Sequence, residues 1–327
     1  MLQYQPTASL QELVTSLHQA VAIDKIFLLG VSAEGYPVNS IFRPTDHGNE
    51  PGAGYFLLLL TRPGEHRSDD VIQDMLEQRN RFRIPVHLMV YPVKMFYQWL
   101  QSGQFFALKV AEQAPILYNS GVTHLPEAGI AFRKVAYLKQ QEQSMLGFSR
   151  SAAFLRGARY FISKKEYSLA AFLLHQAAEH ACLSFILQYT GLRTGTHNID
   201  KLLRYSMLID DILMKVFPRR FEEEVELFRL LQKAYIHSRY KEDYNITEDE
   251  IFLLAGKVTK LCRLCNPDQE ESISVVEEEA VPWTTLPGGR LKAGKAVRSS
   301  VPQENMGGEF LQYQDKYKND HQYGTYG

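Results

Sequence analysis

Four polar side chains interrupt an otherwise apolar stretch, residues 168–189, and they are the strongest candidates for chemistry in this sequence. At 100° per residue, they fall on one side of a helix: His175, Gln176, Glu179 and His180. The opposite side is apolar, so the helix should be buried on both faces. Since a lone buried carboxylate is costly unless it is paired, Glu179 requires a partner.

Further along the chain, four residues are candidates for binding a phosphate or supporting the Glu179 carboxylate. They are His197, Lys201, Arg239 and Tyr244. Arg239 could neutralise Glu179 across a helical core, because a guanidinium can hydrogen-bond both carboxylate oxygens. His197 precedes a helix predicted over residues 199–205, where capping or tethering the loop is the ordinary role. His175 and His180 could equally be satisfied core or interface histidines.

The elements that must position these residues divide the 327-residue chain into four regions. Residues 1–121 alternate amphipathic helices with short apolar strands, whereas residues 145–265 have a helical pattern almost throughout. Residues 122–144 read as a linker with a helical end. Residues 266–327 carry an acidic and then a basic block with few aliphatic side chains, which predicts a disordered tail. The expected fold class is therefore α+β, with a sheet domain, a helical bundle and a tail.

Three separated blocks in the bundle region resemble the HEPN family, the higher eukaryotes and prokaryotes nucleotide-binding domains. They are residues 167–179, the Thr-His-Asn-Ile of residues 196–199 with the Leu-Leu of residues 202–203, and residues 234–240. The resemblance implies an antiparallel helical bundle that often dimerises and often lies beside a nucleotidyltransferase-like domain. The low polarity of residues 168–189 led us to expect a homodimer through this domain.

Many HEPN proteins cleave RNA without metal, using an Arg and a later His with four to six residues between them. Arg239 occupies the position of that Arg, but Tyr244, Asn245 and Ile246 stand where the His should fall, and His237 precedes the Arg. The ordinary tyrosine pKa is too high for Tyr244 to act readily as a base. The resemblance therefore implies a helical bundle that lacks the histidine used in the family's usual ribonuclease chemistry.

The first region resembles a minimal nucleotidyltransferase fold whose metal site is missing. Gly30 and Ser32 fall where that family has its Gly-Ser turn, which makes them candidates for binding nucleotide phosphates. The metal chemistry requires two or three carboxylates on the next strands, yet residues 55–61 and 85–90 contain no acid. Asp69 and Asp70 read instead as first-turn residues of a helix. Arg62 and Arg67 remain possible nucleotide contacts.

These observations favour a non-catalytic nucleotide- or RNA-binding HEPN protein in which a degenerate nucleotidyltransferase domain acts as a sensor or partner module. The alternatives are a metal-independent, toxin-like ribonuclease using Arg239, and a pure protein-interaction module. We expect no cofactor and no metal, because three cysteines, two of them at Cys262 and Cys265, cannot supply four zinc ligands. A secretory signal is not evident, and the polar cluster argues against a membrane span, so we expect a cytoplasmic protein.

Overall fold

The structure is a computed structural model that describes residues 7–32, 38–44, 54–80, 85–240 and 244–267, without the side chains of residues 80 and 237–240. The predicted tail lies outside these residues, except for its first two positions. All described residues belong to one compact unit, Met1–Trp283.

The N-terminal part follows the predicted order of helices and strands. Its elements are α1 (Ala8–Ala20), β1 (Ile23–Ser32), β2 (Asn39–Ser40), β3 (Gly54–Thr61), α2 (Asp69–Asn80), β4 (Val86–Pro92), α3 (Val93–Gln101), α4 (Phe105–Gln113) and β5 (Ile116–Asn119). Asp69 and Asp70 occupy the first turn of α2, as predicted, where negative charge complements the helix dipole.

The strands form one mixed sheet in the order β2-β1-β3-β4, with β5 also pairing with β1. β1 is antiparallel to β2, β3 and β5, whereas β3 and β4 are parallel. Every residue of β3 is buried, which agrees with its continuous apolar sequence, because both faces of the sheet are covered.

A helical bundle follows. A short 3-10 helix, Ile130–Phe132, leads into the 31-residue helix α5 (Arg133–Ser163). The remaining elements are α6 (Tyr167–Thr190), α7 (Ile199–Ser206), a second 3-10 helix (Asp211–Val216), α8 (Glu222–Tyr240) and α9 (Glu248–Cys265). The α+β class, with an N-terminal sheet region followed by a helical bundle, is confirmed.

Helix α6 is the centre of the bundle and is packed by α5, α7, α8 and α9. It is long and apolar enough to cross a membrane, but 72% of its most apolar window is buried inside the protein, as in the core helix of a soluble protein. The predicted burial on both faces is therefore confirmed. Since helices of the same chain provide that burial, α6 does not require a second copy to cover it.

The sheet and the bundle share one hydrophobic core. Alternate side chains of β1 and β3, such as Phe27 and Phe56, join the cluster that contains Leu174 and Phe185 of α6. Their neighbours on the strands, such as Leu28 and Leu57, pack with α1 and α2 on the other face of the sheet. The two parts are therefore joined by apolar packing rather than by a flexible connection.

Candidate functional site

The polar cluster predicted on α6 is present, and it receives a histidine from the loop that follows this helix. Glu179 is 4% exposed. Its Oε1 atom lies 2.9 Å from Nδ1 of His197, and its Oε2 atom accepts a hydrogen bond of 3.2 Å from Nε2 of Gln176. The buried carboxylate thus has the partners that its burial demands.

The histidine in this pair reaches the surface, whereas the carboxylate does not. The His197 side chain is 52% exposed against 5% for Glu179. His197 lies in the eight-residue connection between α6 and α7, residues 191–198, which turns at Gly191 with a backbone φ of 71°. A residue other than glycine would be strained there and would meet Gln140 and Phe105 at 3.0 Å. The connection therefore follows a defined path back to Glu179.

An aromatic ring of α8 completes the cluster. Tyr235 stacks on His197 with ring centroids 4.8 Å apart and an angle of 15° between the planes. It also contacts His175, at 5.2 Å and 31°. His175 is 1% exposed, with its Nδ1 atom 3.6 Å from Oε2 of Glu179. Sequence analysis did not select Tyr235, although its position four residues before Arg239, on the same face of α8, pointed to it.

Two roles were expected for His197, capping α7 or tethering the loop, and the capping role belongs to its neighbour. Asn198 is the N-cap, and its side chain accepts a hydrogen bond from the backbone N–H of Lys201. His197 is thereby free of the capping role and turns its Nδ1 atom to Glu179. His180, also considered a candidate, stacks on Phe154, and burial lowers its pKa below the ordinary histidine value.

Lys201, predicted to contact phosphate, is directed into the sheet domain instead. Only 5% of it is exposed, and its Nζ atom lies 3.3 Å from Asp70 and 2.9 Å from Asp74, both on α2. Arg204, one turn later, pairs with Glu77 of α2 at 2.9 Å. The adjacent Tyr205 donates its hydroxyl to Gln73 at 3.1 Å or to the Leu88 carbonyl at 3.2 Å. We call this set of α7–α2 contacts the α7 joint.

Two other candidates, Gly30 and Ser32, lie in strand β1 of the sheet. Gly30 lies inside β1 rather than in a turn, and a Cβ there would meet Ser40, the Asn39 carbonyl and Leu208 at 3.0–3.1 Å. Ser32 ends the same strand. A phosphate has no room beside the enclosed Gly30, whereas the half-buried Ser32 stays a predicted nucleotide contact.

Tyr244 is buried and donates its hydroxyl to the Leu230 carbonyl at 3.0 Å. Burial raises its pKa well above the ordinary tyrosine value, and its hydroxyl attaches Tyr244 to α8. Arg239 lies in the last turn of α8, but its side chain is outside what the structure describes, and with it the predicted pairing to Glu179.

The two N-terminal arginines are engaged in local contacts. Arg62 donates to the Ile23 carbonyl at 3.1 Å, and Arg67 forms an ion pair with Glu65 at 2.8 Å. Among the described residues, no group of three or more His, Cys, Asp or Glu side chains is arranged to hold a metal ion. Cys262 and Cys265 are buried, and burial raises the pKa of both thiols.

A comparison with protein families agrees with the resemblance seen in the sequence of the bundle. Residues 147–267 match the HEPN domain model. This part of the chain is similar to HEPN domains. The match contains the Glu179–His197 pair and Tyr235, and it supports a nucleotide- or RNA-related role.

Comparisons with whole proteins do not extend this similarity to the rest of the chain. No curated protein matches the chain. A solved structure of a nucleotidyltransferase-like protein from Exiguobacterium sibiricum is similar at 13% identity over 82% of this chain and 78% of that chain, with a TM-score of 0.26. A score this low does not establish a shared fold.

Proposed function

We propose that this protein is a non-catalytic nucleotide- or RNA-binding HEPN protein whose binding site is centred on His197. The observation that carries the proposal is a half-exposed histidine held by a buried carboxylate and stacked on a tyrosine. A carboxylate on Nδ1 fixes the orientation of the imidazole ring. The outer part of the ring can then meet an anionic phosphate.

The surroundings of His197 suit a nucleic acid better than a small anion alone. Tyr235 presents an aromatic surface beside the histidine, and bases stack on such side chains. The arrangement combines a phosphate contact with a stacking surface, as single-stranded nucleic acid requires.

The sheet domain is proposed to be a degenerate nucleotidyltransferase-like module that senses or recruits rather than catalyses. Strands β3 and β4 carry no acid, and Asp70 and Asp74 of α2 are occupied by Lys201. These carboxylates are therefore engaged in holding α7 instead of two metal ions. A cytoplasmic location fits this role.

The binding proposal can be tested with a fluorescein-labelled 20-nucleotide single-stranded RNA and with labelled ATP, using anisotropy on the full chain. His197→Ala should weaken binding of one of these probes by about tenfold, because a hydrogen bond to a charged group contributes roughly 1.5–3 kcal/mol. The matched control is His124→Ala, an exposed histidine in the segment before α5. Equal affinities for the two variants, or no binding of either probe by the unaltered chain, would reject the proposal.

The same geometry favours one second candidate, a metal-independent ribonuclease. A histidine oriented by a carboxylate is the arrangement used for general acid–base chemistry, so His197 could replace the motif histidine that the sequence lacks. Incubating the labelled RNA with the protein in EDTA distinguishes the ribonuclease from the non-catalytic binding protein. Intact RNA supports the binding protein, whereas shorter products that disappear with His197→Ala support the nuclease.

A further inference from the structure

An apolar surface at the start of α5 is not covered by the rest of the described chain. Six large side chains between residues 130 and 146 are each 53–68% exposed, and we call them the α5 stripe. They are Ile130, Phe132, Val135, Leu138, Met145 and Leu146. The buried residues of α5, such as Ser144 and Phe148, lie on the opposite side of the helix, so the stripe faces away from the bundle.

The stripe is as large as the apolar patches that proteins use for contacts. A fully exposed side chain of this size offers about 150–200 Å², so six of them at these exposures present roughly 600 Å². The largest apolar patch on a typical monomer is about 300–600 Å² and is often functional. A surface of this size therefore calls for an occupant.

The last helix of the bundle brings the rest of the chain to one end of this stripe. Cys262 of α9 lies beside Ser151 of α5, with their Sγ and Oγ atoms 3.3 Å apart. One turn later, Cys265 contacts Cys182 of α6. Along α6, Cys182 lies between the residues that contact Ser151 and Gly147 of α5. The chain therefore leaves α9 near the level of Gly147, the residue that directly follows the stripe.

The residues that come next complement the stripe in charge and in apolar content. Residues 268–283 contain six acids and no Lys or Arg, whereas residues 130–146 contain three bases and one acid. The six acids are Asp268, Glu270, Glu271, Glu277, Glu278 and Glu279, and the three bases are Arg133, Lys134 and Lys139. Apolar residues flank the three consecutive glutamates, at 273–276 on one side and 280–283 on the other. An acidic, apolar segment therefore follows directly on a helix that ends beside a basic, apolar surface.

We infer that residues 273–283 lie along the α5 stripe of their own chain, antiparallel to α5. Since the chain leaves α9 at the C-terminal end of the stripe, the first apolar group of the segment packs on Met145. The three glutamates then lie beside Lys139, and Trp283 reaches Val135. Apolar groups thus meet apolar groups at both ends, with opposite charges between them.

The lengths agree with this path. A helix with its side chains is about 10–12 Å across, so the five residues 268–272 are enough to reach the outer face of α5. The stripe is roughly 24 Å long at 1.5 Å per residue. Residues 273–283 span up to about 36 Å when extended, so they can cover the whole stripe.

This contact does not rest on the nucleotide or RNA site, and a failed His197→Ala test would leave it standing. It also limits the predicted disordered tail to the residues after 283. The side chain that reports on it is Trp283, because the chain has two tryptophans and the other, Trp99, packs against Tyr91 in the sheet domain.

The test is quenching of Trp283 fluorescence by acrylamide in the full chain, obtained as the difference between the unaltered protein and Trp283→Phe. Trp283 should be shielded equally at 1 and 100 µM protein, because a contact within one chain does not depend on concentration. Leu138→Asp and Met145→Asp should each raise the equilibrium constant for undocking about tenfold, because each places an unpaired charge in the apolar contact. Val71→Asp and Leu253→Asp are controls on α2 and α9 with exposed fractions of 55% and 49%, and they should leave the shielding unchanged.

Charge reversal tests the position of the glutamates. Lys139→Glu should expose Trp283 by adding an acid beside three others, and changing Glu277 and Glu278 to Lys in that variant should restore the shielding. Trp283 as accessible in the unaltered chain as free N-acetyltryptophanamide would overturn the inference. So would shielding that disappears on dilution to 1 µM, since the segment would then cover another copy. Shielding that survives both Leu138→Asp and Met145→Asp would place the segment elsewhere and would also overturn it.

Discussion

Two residues four positions apart, His197 and Lys201, contact different parts of the molecule. His197 is half-exposed and turns to Glu179 within the helical bundle. Lys201 is buried and turns to Asp70 and Asp74 of the sheet domain. In sequence both are polar residues around the start of a helix, and both were predicted to contact phosphate. The difference shows that a candidate binding residue can lie just before a short helix while residues of the helix itself attach that helix to the neighbouring domain.

The comparison predicts that residues of the α7 joint control stability and not ligand binding. Arg204→Ala should have the largest effect, because it leaves Glu77, which is 15% exposed, without its cation. It also removes one of the two arginines that pair with Asp200, the other being Arg219. We expect a loss of about 2 kcal/mol, less than the roughly 3–5 kcal/mol seen when fully buried pairs are broken. Urea unfolding of the full chain measures it.

The control for Arg204→Ala is the replacement of another ion-paired arginine, Arg229. Arg229 forms an ion pair with Glu226 on the surface of α8, with exposed fractions of 55% and 40%. Its replacement by Ala should change stability by less than about 1 kcal/mol, as is usual for surface pairs. If Arg204→Ala and Arg229→Ala unfold at the same urea concentration, the α7 joint does not hold the domains together.

Tyr205→Phe should have the next largest effect. The substitution keeps the ring and removes only the hydroxyl that bonds Gln73 and the Leu88 carbonyl. Because both acceptors are buried, we expect a loss of about 1–2 kcal/mol. RNA or nucleotide affinity should remain that of the unaltered protein at temperatures where the variant is folded. A fall in affinity without a fall in stability would mean that the joint belongs to the binding site.

The sequence predicted the elements well and their long-range contacts poorly. Periodicity located α6, β3 and the start of α3, since these depend on side chains within a few turns or residues. The pairing of Lys201 with Asp70 joins residues 131 positions apart, and nothing local indicates it. The same holds for the core shared by sheet and bundle, because apolar faces do not specify which other face covers them.

In the candidate site, too, the sequence indicated the residues but not which of them are in contact. The sequence identified Glu179 and His197 as separate candidates and predicted that the carboxylate needs a partner. It proposed Arg239 for that role, which stays a prediction, and it did not identify His197 as that partner, because charge complementarity alone does not show that a histidine 18 positions away reaches the carboxylate. The path of the loop from Gly191 to Asn198 brings His197 to Glu179, and that path depends on packing against Phe105 and Gln140.

The smallest expected effect concerns Asp69, the first residue of α2 beside the joint. Burial, with a smaller contribution from the charge of Asp70, raises the pKa of Asp69 from 3.8 to about 6. An acid with a raised folded-state pKa binds its proton more tightly when folded. Its ionisation therefore destabilises the protein progressively as the pH rises from about 4 through 6, and the full cost is present at pH 7.

Asp69→Asn removes that cost, so it should stabilise the protein at pH 7 and not at pH 4. Two pKa units correspond to roughly 3 kcal/mol, and the partial exposure of the side chain reduces the expected gain to about 1 kcal/mol. Melting temperatures of the variant and the unaltered chain at pH 4, 5, 6 and 7 measure the trend. The control is Asp249→Asn, an exposed acid in the first turn of α9, whose effect should not grow over this range. A gain from Asp69→Asn that is equal at all four pH values would show that the amide improves packing at the joint and that ionisation of Asp69 carries no cost.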